Sequence, residues 1–193
     1  YPEAGCALEF DTVYHLLIAV VLSAQTTDVS VNKATPALFE KYPDAYAMAG
    51  AEQDDVIKYI KTIGMYRQKS KNIINLSKIL AEKYNGDVPG NYDDLISLPG
   101  VGRKTANVVL SEGFGRARIA VDTHVFRVSN RIGLADSDDV LKTEEQLMAS
   151  LPEELWSHTH HLLIFHGRHC CKATKPECDP CRISDRCKYF STI

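Results

Sequence analysis

Two stretches of this 193-residue chain carry chemistry-bearing residues at spacings that packing alone does not ask for. In LPGVGRKTANVV (98–109), a turn with two glycines hands the chain to a helix whose first turn holds Arg103 and Lys104. A helix N-terminus carries about +0.5 charge, and a like charge beside it costs roughly 0.3–1 kcal/mol. Either both side chains swing into solvent, or the turn serves a site that wants positive charge and a lysine in an unfavourable field. In the tail, Cys171, Cys178, Cys181 and Cys187 supply four thiols separated by six, two and five residues. Zinc or a [4Fe–4S] cluster can use four thiolates, and the spacing by itself leans to zinc, the commoner structural metal. A disulfide scaffold spreads its cysteines through the chain, whereas five of the six here fall in the last 24 residues. That clustering implies a metal or iron–sulfur site in a reducing compartment.

Helices must position these groups. Residues 10–24 read as a helix buried on all sides, Asp28 as the cap of a second running to about Phe39, and Pro43 as the opening of a short third. Asp54 to Ile60 is amphipathic. Over 67–84, Ile73, Ile74, Leu76, Ile79 and Leu80 form one apolar stripe with lysines opposite, ended by Asn85-Gly86. A short helix at 91–97, the turn at 98–102 and a helix over 103–114 closing at Gly115 follow. Asp122 N-caps a helix that Gly133 stops, and two more lie near 140–150 and 154–166. No sustained alternation of period two is present, and ARIAV (117–121) is the single strand-like piece, so the fold class is all-α. Apolar runs such as LLIAVVL (16–22) are too short to span a bilayer.

Within the helical hairpin 91–114, Gly100 and Gly102 allow positive φ and leave no side chain between backbone and ligand. Turn amides and the first N–H groups of the next helix then form an anion-binding concavity, with a phosphate as its natural occupant and Arg103 at ease beside it. The net charge of −3 argues against nucleic acid until its distribution is read. Lys61, Arg67, Lys69, Lys71 and Lys78 stand in 61–78 without an acid; six cations in 98–131 face only Glu112 and Asp122; seven acids crowd 134–155 against Lys142. Segregation of this kind implies one basic face and one acidic back.

LPGVGRKTANVVL followed by IAVDTHVFRVSNR resembles the endonuclease III family of helix-hairpin-helix DNA glycosylases. The resemblance continues through LLIAVVLSAQTTDVSVNK (16–33), YIKTIGMYRQKSKNI (59–73), HHLLIFHGRHCCKA (160–173) and the cysteine tail, and so covers most of the chain. It implies two helical domains with a DNA-binding cleft between them. Residues 7–117 form a helical barrel domain containing the hairpin, and residues 1–6 with 118–193 form the domain of the cysteine tail. It implies a [4Fe–4S] cluster on Cys171, Cys178, Cys181 and Cys187, with Cys170 a bystander and Cys6 unassigned. Lys104 is the nucleophile and Asp122 its acidic partner. Gln25 plugs the gap left by an extruded base, and Met65, where a leucine is common, wedges opposite. Asp28 and His124 line the pocket, His124 with a satisfied structural histidine as the competing reading. Gly100, Gly102 and Arg103 meet the DNA backbone, as do Lys172 and Lys175, in a loop that Thr174 and Glu177 make less basic than is usual in relatives.

The chemistry agrees with those residue types. An amine that attacks the sugar C1′ expels the base and forms a Schiff base, whose iminium acidifies the C2′ hydrogen so that the 3′ phosphate is eliminated. A water-activating carboxylate alone stops after base removal. An anionic Asp122 stabilises the oxocarbenium-like charge at C1′. The attacking amine must be neutral, and a free lysine titrates near pH 10.4. The helix terminus moves that by less than about one unit, so desolvation must supply the rest. A walled-off pocket for Lys104 is the expectation. From Arg103 to Phe114 a helix runs about 18 Å, and residues 115–121, if extended, cover up to about 23 Å. The chain between Lys104 and Asp122 is thus long enough to bring them together.

The sequence reading is therefore a monomeric base-excision-repair glycosylase and AP lyase for oxidised pyrimidines, acting on double-stranded DNA with damaged bases or abasic sites, without a membrane partner. Its expected setting is the bacterial cytoplasm. Two alternatives stand beside it. An adenine-mismatch glycosylase of the same superfamily lacks the lysine and carries a further C-terminal domain, so Lys104 and a chain that stops at Ile193 weigh against it. A non-catalytic DNA-binding or redox-sensing iron–sulfur protein has no use for Lys104 with Asp122. Relatives carry an extra N-terminal helix, so residues before Tyr1 are expected.

Overall fold

A helix that is apolar on every side needs neighbours on every side, and LLIAVVL gets them. In the computed structural model, which describes residues 1–192, helix α1 (Val13–Ser23) is buried continuously from Tyr14 to Leu22. Thr12 caps it, its side chain accepting from the His15 N–H. Around it are α2 (Asp28–Lys41), α3 (Ala45–Ala49), α4 (Gln53–Ile60), α5 (Tyr66–Lys83), α6 (Tyr92–Ile96) and α7 (Arg103–Val108). These belong to one compact unit, Ala7–Arg116. Helix α5 turns Ile73, Ile74, Leu76 and Leu80 into its core and packs against α3 and α4. Inside, the Tyr14 hydroxyl and Ser77 Oγ hydrogen-bond at 2.8 Å, while Ser77 Oγ donates to the Ile73 carbonyl at 2.7 Å.

The other unit comprises Tyr1–Cys6 and Ala117–Ile193, with α8 (Thr123–Ile132), α9 (Val140–Ser150) and α10 (Trp156–His169). Its core is built from Ile119, Val121, Val125, Val128, Leu147, Leu163 and Cys171. Asp122 caps α8, one carboxylate oxygen accepting from the N–H groups of His124 (2.9 Å) and Val125 (2.8 Å). Gly133, at φ +94°, closes it. No helix among the described residues is long and apolar enough to cross a membrane.

Four expectations need correction. ARIAV forms no strand: Ile119, Ala120 and Val121 are buried as an irregular segment that feeds the core of its unit. The cap of α2 is Thr27, which accepts from the Ser30 N–H, and Asp28 is instead the first helical residue, where its charge favours the N-terminus. The helix over 103–114 is two pieces, since Val109–Gly113 winds as a π-helix. Finally, the lysines of α5 do not all lie opposite the apolar stripe: Lys71 and Lys78 are exposed, but Lys69 is 3% exposed.

Candidate active site and DNA interface

Leu98–Gly102 makes the turn between α6 and α7. Gly100 sits at φ +80°, where a side chain strains the backbone, and a Cβ there would stand 2.8 Å from Asn72 Nδ2. Gly102 is different. Its backbone is extended (φ −103°, ψ −178°), and nothing lies within 4 Å of a Cβ added to it. Both glycines allow positive φ, and only Gly100 uses it. Packing within the protein gives no reason for the missing side chain at Gly102. As N-cap of α7 it also brings no side-chain acceptor to the first-turn N–H groups.

Arg103 and Lys104 are both exposed at the start of α7, while Ala106 and Asn107 on the next stretch are buried. The Arg103 guanidinium lies 5.7 Å from the centre of the Tyr92 ring, a cation–π contact that eases a cation at a helix N-terminus. The expected closed pocket around Lys104 is not what the protein builds. The residue is exposed rather than enclosed.

Gln25 and Met65 occupy two exposed loops of the same unit, and both adopt a left-handed backbone (φ +54° and +56°). Neither residue type settles there without constraint. The Met65 side chain projects into solvent at 53% exposure. Its loop lies against the other: a Cβ on Gly64 would be 3.7 Å from Thr26 Oγ1 and 3.8 Å from the Gln25 carbonyl. Lys69 joins them. Its Nζ donates to the Leu22 carbonyl (2.8 Å), the Ala24 carbonyl (2.7 Å) and Thr26 Oγ1 (2.9 Å). Asp28, half-buried, follows directly at the start of α2.

In the other unit, Asp122 is half-buried beside His124. Arg127 Nη2 lies 3.2 Å from His124 Nδ1, within hydrogen-bond reach. Burial holds His124 below the ordinary histidine range, with Arg127 and Arg168 acting the same way and Asp122 opposing them. The same Arg127 reaches the carbonyls of Gly167 (3.0 Å) and Cys171 (3.1 Å). A Cβ on Gly167 would fall 3.0 Å from His124 Nδ1, so the missing side chain is what lets α10 approach α8 there.

The cysteine tail lines a small cavity together with Ile132, Tyr189 and Phe190, and its lining includes Cys171, Cys178, Cys181 and Cys187. All six cysteines are free thiols. Burial pushes the Cys178 thiol up, and the charges of Cys171, Cys187, Cys181 and Asp179 push it further. Four cysteines that line one cavity, with no disulfide among them, are a donor set that fits an iron–sulfur group. Arg131 steadies the first loop, donating to the carbonyls of Lys172 (2.7 Å) and Ala173 (3.0 Å) and to Cys171 Sγ (3.6 Å), with its guanidinium 4.9 Å from the Tyr189 ring centre. Cys170 and His166 also face this cavity. Their ligand atoms and Cys181 Sγ lie within 4.8 Å of one another. Cys170 is thus a wall of the site, its thiol pushed up to about 11 by burial and then by Cys181. Lys172 is ion-paired with Glu177, and Lys175 is exposed with φ +51°.

A family model described as HhH-GPD superfamily base excision DNA repair protein matches residues 18–153. The chain belongs to the HhH-GPD superfamily. Endonuclease III of Escherichia coli K12 is 50% identical over 192 residues, 100% of this chain to the nearest per cent and 91% of that protein. The Rickettsia felis endonuclease III is 49% identical over 99% of this chain and 90% of that protein. A solved structure of a trapped endonuclease III–DNA covalent intermediate superimposes with a TM-score of 0.94 at 49% identity, covering 99% of this chain and 90% of that one. A thermostable thymine-DNA glycosylase shares the fold at a TM-score of 0.87 and 26% identity. The all-α fold is therefore the HhH-GPD fold of endonuclease III.

Structure brings the sequence-predicted residues together in three groups. Gly100, Gly102, Arg103 and Lys104 share the hairpin; Gln25 and Met65 share adjoining loops; the four cysteines share one cavity with Lys172 and Lys175 on its first loop. Lys104 and Asp122 belong to different units. Sequence reasoning missed Lys69, Arg127, Arg131 and His166. Only the two arginines leave a trace in the sequence, four residues apart on the helix that Asp122 opens.

Proposed function

We propose that this base-excision-repair protein is a bifunctional DNA glycosylase and AP lyase that removes oxidised pyrimidines from duplex DNA and cleaves 3′ to the abasic site. Lys104 Nζ attacks C1′ of the extruded nucleotide; the C1′–N bond breaks and the base leaves with a proton. The resulting Schiff base acidifies C2′, and loss of that proton expels the 3′ phosphate. Asp122, as a carboxylate, stabilises the positive charge that develops on the sugar. Because Lys104 is exposed, bound DNA completes the exclusion of water around the amine.

The hairpin amides at Gly100–Gly102, with Arg103, hold a backbone phosphate, and Gly102 lets that phosphate approach the main chain. Gln25 and Met65 fill the space the base vacates, and Asp28 lines the pocket. His124, engaged by Arg127, fixes α8 so that its Asp122 cap keeps its place. Lys175 meets the DNA backbone more readily than Lys172, whose charge Glu177 shares. Cys171, Cys178, Cys181 and Cys187 hold a [4Fe–4S] cluster. When bound, that cluster cross-links the tail loops and spreads the negative charge of four thiolates. The bacterial relatives and the free thiols agree with a reducing bacterial cytoplasm.

One observation carries this reading: a protein with the same fold over 99% of this chain forms a covalent intermediate with DNA, and the hairpin here presents a lysine. A cleavage panel tests it. Duplexes with thymine glycol, 5-hydroxycytosine or an abasic site are nicked; a duplex with adenine opposite 8-oxoguanine is not. Cleavage of the mismatch alone, or base loss without a nick, refutes it.

A further inference from the structure

The buried ammonium of Lys69 is unaccounted for in that chemistry. It is 3% exposed, and burial alone pushes its pKa down. Fully desolvating a cation is unfavourable unless every hydrogen finds an acceptor. Here all three do: the Leu22 and Ala24 carbonyls at the C-terminal end of α1, and the Thr26 hydroxyl in the loop beyond. The last carbonyls of a helix lack intrahelical partners and carry negative partial charge, so a cation suits them. Lys69 is also one turn into α5, and its own N–H donates to the carbonyl of Met65, the N-cap. A single residue therefore grips both loops, by main chain at Met65 and by side chain at 22–26. Gln25 lies between two of the three side-chain acceptors. Both gripped loops hold a non-glycine residue in the left-handed region, a conformation that persists only where the surroundings over-determine it.

We propose that Lys69 is a positioning residue for base extrusion: it locks the 24–27 loop against the 61–65 loop so that Gln25 and Met65 are held at one fixed spacing. This rests on the reading of Gln25 and Met65 as the residues that fill the vacated space. Lys69 does not touch DNA, and its ammonium takes no part in the reaction.

Four variants test it in the full chain: Lys69→Met, which keeps the length and loses the donors; Thr26→Val, which removes one acceptor and leaves the charge; and Gln25→Ala and Met65→Ala as references. Activity is read as kcat/KM on a thymine glycol duplex against borohydride trapping on a single-stranded abasic oligonucleotide, which has no stacked base to extrude and no gap to fill. Misplacing a positioned group by about 1 Å costs up to about 100-fold. Lys69→Met should lose about 10- to 100-fold on the duplex and stay within about twofold on the single strand, with Thr26→Val smaller in the same direction. Adding Gln25→Ala to Lys69→Met should cause little further loss. Amide hydrogen exchange should quicken at 24–27 and 62–65 and not in the middle of α5. If Lys69→Met does not fold, Thr26→Val carries the same two readouts. Equal losses on both substrates, or unchanged exchange in the two loops, overturns the proposal. Should Gln25→Ala and Met65→Ala leave duplex activity intact, the gap-filling reading fails and the positioning role falls with it, while loop exchange still reports whether Lys69 locks the loops.

Discussion

The two glycines of the hairpin give opposite predictions. Gly100→Ala forces a side chain into φ +80°, which costs roughly 1–2 kcal/mol in strain. The new Cβ lands 2.8 Å from Asn72 Nδ2 and 3.0 Å from Asn72 Cβ. Asn72 cannot swing aside without loss, because its Oδ1 accepts from Gln68 Nε2 at 2.8 Å. Overpacking of this kind adds about 1–3 kcal/mol. The sum, about 2–5 kcal/mol, lowers Tm by roughly 4–20 °C in a chain of this size. Gly102→Ala meets neither obstacle: its backbone is extended and the space is open. Removing unfolded-state freedom there contributes about 0.4–1 kcal/mol, which the poorer N-capping of alanine offsets, so stability stays near that of the parent. Yet if Gly102 exists for a phosphate, its methyl group stands where the phosphate must come. Losing one charge-assisted contact costs about 1.5–3 kcal/mol, or roughly 10- to 100-fold in Kd. Thermal melts of both variants, with fluorescence anisotropy on a duplex carrying a stable abasic analogue at fixed salt, separate the effects. A Gly102→Ala protein that melts no lower than the parent and binds as tightly refutes the close approach. An unchanged Tm for Gly100→Ala refutes the packing against Asn72.

Three further outcomes follow from the other unit. Asp122→Asn keeps an oxygen for the His124 and Val125 N–H groups, so stability should fall by about 1 kcal/mol or less, while single-turnover base release drops by about 100-fold or more; full turnover in that variant removes Asp122 from the chemistry. His124 is held below its ordinary value of 6.5, so the unfolded chain takes up its proton first. Its contribution to stability is therefore whole above pH 6.5 and is lost as pH falls towards the folded value. A plot of Tm from pH 7.5 to 5.5 should slope less for His124→Asn than for the parent, and equal slopes count against the assignment. Cys178→Ser should sharply reduce bound iron and make 171–187 sensitive to protease; undiminished iron means that this thiol is not a ligand.

Much of the fold was legible because burial leaves a period. The apolar stripe of α5 and the continuous run of α1 fixed those helices to within a few residues, and Asp122 and Gly133 marked both ends of α8. What escaped had no such mark. A π-turn at Val109–Gly113 uses residues that suit an α-helix equally well. Lys69 reads like its neighbours Lys71 and Lys78, since the carbonyls that bury it come from α1, more than forty residues earlier. Left-handed backbones at Gln25, Met65 and Lys175 carry no glycine or asparagine to announce them. At Gly102 the residue type suggested a conformation that the backbone does not need. The thiol quartet was readable from its spacing, whereas Cys170 and His166 joined the wall only through the turn at the end of α10, where the Cys171 N–H donates to the His166 carbonyl.

Everything chemical turns on Lys104 forming a bond to a sugar carbon. Borohydride reduction of the protein with abasic duplex, followed by peptide mapping, measures that directly. The account predicts a stable protein–DNA adduct carried by the peptide that contains Lys104, absent from Lys104→Ala even though that variant still binds the duplex. An adduct that maps to another residue, or that persists at parental yield in Lys104→Ala, contradicts it.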